Sequence, residues 1–136
     1  MSRPSRRSLL LVLAVGAGGA LGTGARHALA LLLPAAAGWP LATLSANLFG
    51  AFLLGMLLES LQRRGEETPR GTLLRLGAGT GALGGFTTFS SLALETERML
   101  SAGAAGQALA YVGISLGGGF LTCLSGTVLA ARGRRA

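Results

Sequence analysis

The sequence predicts an all-α membrane protein in which four transmembrane helices, the third of them broken, make up a single domain over 1–136. Three observations carry this. Half of the residues are hydrophobic and 12% are charged, about half the usual globular share of charge. Four stretches, 8–25, 27–58, 76–94 and 99–131, hold no Asp, Glu, Lys or Arg, and a helix needs about 20 apolar residues to cross the hydrocarbon core. Within the third stretch, "GTGALGGFTTFSS" (79–91) gathers glycines and hydroxyls that weaken a continuous helix. Four crossings consume most of the chain and leave nothing for a soluble domain.

Span 1 is expected over about 8–32, where Ala14, Gly18 and Gly22 recur every four residues and let another backbone approach closely. Its start, "SRRSLLLVLAVGAGGA", also looks like a twin-arginine export signal. The stretch is long and Gly-rich, and everything downstream is membrane-spanning too, so a first transmembrane helix explains it without cleavage. "LPAAAGWP" (33–40) turns the chain. Span 2, about 40–61, carries Thr43 and Asn47 at i, i+4 and so on one helix face. A polar loop, "QRRGEETPRGT" (62–72), leads to span 3, about 73–97. Span 4, about 107–131, repeats the i, i+4 interval with Tyr111 and Ser115. It also holds the lone cysteine, Cys123, as a packing residue.

The net charge is +7, and every cation is an arginine. Arg3, Arg6 and Arg7 precede span 1, Arg63, Arg64, Arg70 and Arg75 surround the second connection, and Arg132, Arg134 and Arg135 follow span 4. With four crossings these ten share one side, against Arg26 and Arg98 towards the other. Positive charge marks the cytoplasmic side, so both termini of a multi-pass plasma-membrane protein are expected in the cytoplasm. No arginine stripe is interleaved with aromatics, so the charge reads as topology and no nucleic-acid partner is expected.

Gly79, Gly81 and Gly84 fit the G-x-G-x-x-G fingerprint of a dinucleotide loop. That fingerprint needs a strand before it and a carboxylate about 20 residues on, whereas here it lies inside a membrane span of a chain without Asp. The membrane reading accounts for more. Five glycines between Gly77 and Gly85 precede "FTTFSS". Unwound backbone at membrane depth is tolerated only where it is buried in protein or lines a cavity, and half-helices meeting at a break present carbonyl oxygens to ions. Span 3 is therefore expected as two half-helices with an ion site between them, the alternative being a continuous helix whose glycines serve packing. A small multidrug-type transporter needs a carboxylate in the first span and a membrane enzyme needs clustered Asp or His; neither is present.

"GGFTTFSS" with Glu95 four residues on, preceded by "TLSANLFGAFLLGML" and "GGALGTGARH", resembles the CrcB/Fluc family of fluoride channels from about residue 16 to the end of span 4. The resemblance implies four-span subunits paired as an antiparallel, dual-topology-type dimer. It implies a structural, untransported Na⁺ on the dimer axis, bound by the carbonyls of Gly84 and Thr87, with fluoride pores beside it. Asn47 matches the pore-lining asparagine, with Thr43 one turn before it. Phe89, Thr88, Ser90 and Ser91 match the third helix, Tyr111 and Ser115 the fourth, and Arg26 the arginine ending the first. The implied function is passive efflux that lowers cytoplasmic F⁻, with no reaction catalysed.

The chemistry of these residues agrees with an anion path. Fluoride is strongly hydrated, so a pore must replace water with donors such as amides and hydroxyls, and a ring edge is electropositive. Each residue also has a plainer reading. Thr43 and Ser115 can bond back to their own helices, Asn47 can join helices, Arg26 can snorkel, and Glu95 can pair with Arg98 at i, i+3. Two departures stand out. The family's second phenylalanine of F-x-x-F is Leu92 here, while Phe86 falls at a variable position. The arginine bias predicts one fixed orientation, which points to an oppositely oriented paralogue as the partner, the alternative being the chain itself. A pore-degenerate structural subunit is the rival role.

Overall fold

The computed structural model describes residues 5–133, so Arg3, Arg134 and Arg135 of the charge count lie outside the described residues. The described chain is helical, without a β-strand, and runs α1 (Arg6–Leu32), α2 (Leu41–Gln62), α3 (Pro69–Leu74), a π-helical segment (Arg75–Leu83), α4 (Gly84–Phe86), α5 (Phe89–Ser101) and α6 (Ala105–Arg132). Among the described residues three helices, α1, α2 and α6, are long and apolar enough to cross a membrane. Their outer faces leave large side chains such as Leu21, Leu32 and Leu109 exposed, as contact with lipid requires.

Local chemistry sets the ends. The Ser5 hydroxyl caps α1 by accepting from the Ser8 N–H, and Thr68 caps α3 by accepting from Gly71, each meeting an orphan donor of the first turn. Between α1 and α2, Ala36 and Trp39 exchange backbone hydrogen bonds of 3.2 and 2.9 Å, and Gly38 supplies the left-handed conformation (φ +79°) that the turn needs.

Two pairs of helices meet backbone to backbone. A Cβ added at Gly55 would overlap the Cys123 carbonyl and one at Gly126 that of Phe52, so α2 and α6 interlock. On the other side, a Cβ at Gly18 would overlap the Gly77 carbonyl and one at Gly22 that of Ala82, while one at Gly81 would stand 2.7 Å from the Val15 carbonyl oxygen. α1 therefore lies directly on the π segment.

The expected third span, about 73–97, is thus a succession of four pieces. The glycine run does not unwind it: Arg75–Leu83 stays helical in the wider π form. The break comes later, at Thr87 (ψ 157°) and Thr88 (φ −153°, ψ 120°), where the backbone is extended. Beyond it, Leu92, Met99, Ala108 and Tyr111 form the core, and Trp39 stands edge-on to Tyr111 with ring centroids 6.4 Å apart.

Candidate functional site

The break is held open by one side chain from another helix. Asn47 accepts the Thr88 N–H at its Oδ1 (2.8 Å) and donates from Nδ2 to the Thr88 carbonyl (3.1 Å). Both backbone groups of the extended residue are satisfied, which makes such backbone tenable in an apolar bundle. Thr88 also caps α5, its Oγ1 accepting from the Ser91 N–H at 3.1 Å.

These substitutions release two carbonyls. In a continuous helix the Thr88 N–H would bond to the Gly84 carbonyl and the Ser91 N–H to that of Thr87. Here the first goes to Asn47 and the second to the Thr88 hydroxyl. The carbonyls of Gly84 and Thr87 have left the helical ladder, and free carbonyl oxygens are hard donors of the type that binds alkali and alkaline-earth cations. Among the described residues no three His, Cys, Asp or Glu side chains gather as metal ligands. The next carbonyl, Gly85, is engaged: it accepts from Arg26 Nε at 3.3 Å and from the Thr23 hydroxyl at 3.4 Å.

Beside the break lies an open cavity of about 390 Å³ lined by Asn47, Gly84, Thr87, Thr88, Phe89, Leu92 and Ser115 among others. Phe89 is 75% exposed at its rim, whereas Leu92 is 5% exposed and belongs to the core. The Ser115 Oγ is buried without a hydrogen-bond partner among the described residues, so its O–H is an uncommitted donor facing the cavity.

A second polar cluster follows. Glu95 accepts from the Thr43 hydroxyl at Oε1 (2.7 Å) and from the Tyr111 hydroxyl at Oε2 (2.5 Å). Tyr111 is fully buried, Thr43 nearly so, and Glu95 half-buried. The two clusters lie one turn apart on three helices at once: Asn47 and Thr43 on α2, Ser91 and Glu95 on α5, Ser115 and Tyr111 on α6. Four helical residues rise about 6 Å, so polar groups from three helices form a short track rather than isolated pairs.

The structure thus brings Asn47, Gly84, Thr87, Thr88, Phe89, Leu92 and Ser115 around one cavity and Thr43, Glu95 and Tyr111 into one cluster. Ser90 and Ser91 border the first, each with its hydroxyl within 3.2 Å of the Thr88 hydroxyl. Arg26 stands apart, against Gly85. Thr43 and Ser115 do not bond back to their helices, and Glu95 turns to two hydroxyls rather than to Arg98. Sequence reasoning missed Thr23, though its i, i+3 interval to Arg26 was readable. It also missed Trp39, which only the folded turn carries to Tyr111.

Comparison with known proteins bears on the chain as a whole. The family described as CrcB-like protein, Camphor Resistance (CrcB), matches residues 13–127. Fluoride-specific ion channel FluC 2 of Leifsonia xyli is 43% identical over 125 residues, covering 92% of this chain and 84% of that protein. Fluoride-specific ion channel FluC of Phenylobacterium zucineum is 44% identical, covering 89% and 95%. The channel of the same name from Chlorobaculum tepidum is 43% identical, covering 88% and 93%.

Proposed function

This chain belongs to the CrcB family, and from that premise we propose that it is a subunit of a fluoride-specific ion channel, through which F⁻ leaves the cytoplasm passively. The observation that carries the reading is the similarity, over nine-tenths of the chain, to proteins named for that activity. As a multi-pass membrane protein it uses four crossings, the broken stretch from α3 to α5 being the third, with both termini in the cytoplasm. Fluoride entering as neutral HF is trapped as F⁻ inside, so a leak for the anion is protective. No bond is made or broken in passage.

In this reading F⁻ exchanges water for the donors of the track. The second Nδ2 hydrogen of Asn47, the free Ser115 hydroxyl and the hydroxyl of Ser91, which accepts from Thr88, offer hydrogen bonds; Ser90 donates to the Thr88 hydroxyl, and Phe89 offers a ring edge. The Glu95 carboxylate takes the hydroxyl hydrogens of Thr43 and Tyr111 and so fixes these two side chains in the wall of the track. A structural Na⁺ would be held by the Gly84 and Thr87 carbonyls, supplying positive charge beside the path; the support is that both have lost their helical donors. Arg26, bound to Gly85, fixes the last turn before the break.

The subunit works as an antiparallel dimer, either with itself or with an oppositely oriented paralogue. Ten arginines against two favour the second, as does Leu92, which walls the cavity without a ring edge. Fluoride efflux from liposomes holding the purified chain alone, with Na⁺ present, tests this. Fast, fluoride-selective efflux establishes a working homodimer. Silence rescued by the paralogue establishes the pair. Silence in both leaves a pore-degenerate structural subunit and overturns the proposal.

A further inference from the structure

We propose that the groove beneath the connection between α2 and α3 is a docking site for an anionic phospholipid, whose phosphate Arg64 and Arg70 hold and whose acyl chains cover Leu58, Leu61 and Leu74. The groove encloses about 950 Å³, against about 390 Å³ for the cavity beside the break. Its position suits a lipid. Leu58 is the last residue of the uncharged run 27–58 and the next uncharged run opens at 76, so the groove sits where the apolar core of a bilayer gives way to headgroups.

The charges select the headgroup. Of the four arginines on this connection, Arg63 is taken by Glu59 and Arg75 by Glu67. Arg64 and Arg70 line the groove without an ion-pair partner among the described residues. Glu66 and Glu67 line it too; with Glu67 bound to Arg75, two free guanidinium groups face one free carboxylate. Arg7, at the start of α1, acts on Glu67 from the neighbouring helix and adds positive field. Guanidinium is the side chain best matched to a phosphate, because its donors form a planar fork, and basic residues just outside a membrane span attract anionic lipid.

The floor favours a lipid over a free anion. Leu58 and Leu74 are 42% and 41% exposed in the groove, and a soluble phosphate would leave them so, whereas an acyl chain would bury them. The site requires the chain to sit in a bilayer but not that it conducts, so it stands apart from the channel reading.

Native mass spectrometry of the purified full chain in detergent tests it, with phosphatidylglycerol or phosphatidylcholine of matched acyl chains added. Phosphatidylglycerol is expected to be retained roughly tenfold more than phosphatidylcholine, with the preference abolished in Arg64→Gln/Arg70→Gln. Arg63→Gln, whose arginine is already paired, should keep it. The single Arg70→Gln variant, expected to lose part of the preference, decides the matter should the double variant not fold. Equal retention of the two lipids, or an undiminished preference in Arg64→Gln/Arg70→Gln, overturns the proposal. So does displacement of the lipid by inorganic phosphate, which would make the groove a simple anion site, or its displacement by a second copy of the chain.

Discussion

Two neighbouring stretches of the chain between α3 and α5 behave in opposite ways. Gly77–Gly85 holds five glycines, after proline the residues that most weaken a helix, and remains helical. Thr87–Thr88 holds none, and there the helix stops. The difference lies in what competes for the backbone. In the first stretch no side chain takes a backbone N–H, and those of Arg26 and Thr23 reach only the Gly85 carbonyl at its end; the glycines bring the π segment against α1, and the missing Cβ atoms are spent on close approach. In the second, Asn47 takes both backbone groups of Thr88 and the Thr88 hydroxyl takes the Ser91 N–H. A helix is interrupted by a better offer for its hydrogen bonds more readily than by a weak propensity.

The largest expected effect falls on the glycine contact. Gly22→Ala places a methyl group on the Ala82 carbonyl, and overpacking against backbone, which cannot rotate away, costs about 3 kcal/mol. Gly16→Ala, with nothing within 4 Å, should be neutral or slightly stabilising. Thermal unfolding of both variants in detergent measures the difference. Equal melting temperatures would break the comparison, because α1 would then not be seated on the π segment.

A smaller effect is expected at the break. Asn47→Ala strands the N–H of Thr88 and takes one donor from its C=O, which as the N-cap carbonyl of α5 keeps its helical bond, costing about 2 kcal/mol in all. Hydrogen exchange at the Thr88 amide should accelerate more than tenfold, while the amides of α2 and α6 stay protected. Asn47→Asp keeps the acceptor for the Thr88 N–H but loses the donor to its carbonyl, and should fall between. Unchanged exchange in Asn47→Ala would mean that Asn47 follows the break rather than holding it.

These contrasts explain how much could be read in advance. The apolar runs and the polar loop were legible because hydropathy depends only on the residues present. The pairs Thr43/Asn47 and Tyr111/Ser115 were legible because an i, i+4 interval fixes a shared face. Ser91/Glu95 has the same interval and was read as part of a motif but not as a shared face, because a glutamate beside an arginine three residues on invites an ion pair. The position of the break was not legible within span 3, since the group that sets it lies 41 residues away on α2. Nor was the π form of the glycine run, which answers to the glycines of α1 across the contact.

The smallest effect lies at the foot of the same span, where it separates anchoring from packing. Arg75 opens the π segment and donates to Glu67 from Nε at 2.8 Å. This hydrogen bond, with the charges of Arg75 and Arg7, holds the Glu67 carboxyl below its ordinary value. A carboxylate with a lowered folded pKa contributes stability above its unfolded pKa, about 4.3, and loses it as pH falls through the folded value. Glu67→Gln should therefore melt slightly below the parent at pH 6, and the gap should close as the pH drops below about 4. The pair is solvent-exposed, so the gap is small and should also shrink in high salt. A gap that persists at low pH would assign the loss to the packing of the Glu67 stem and not to its charge, and the π segment would then owe its footing, like its seat on α1, to contact alone.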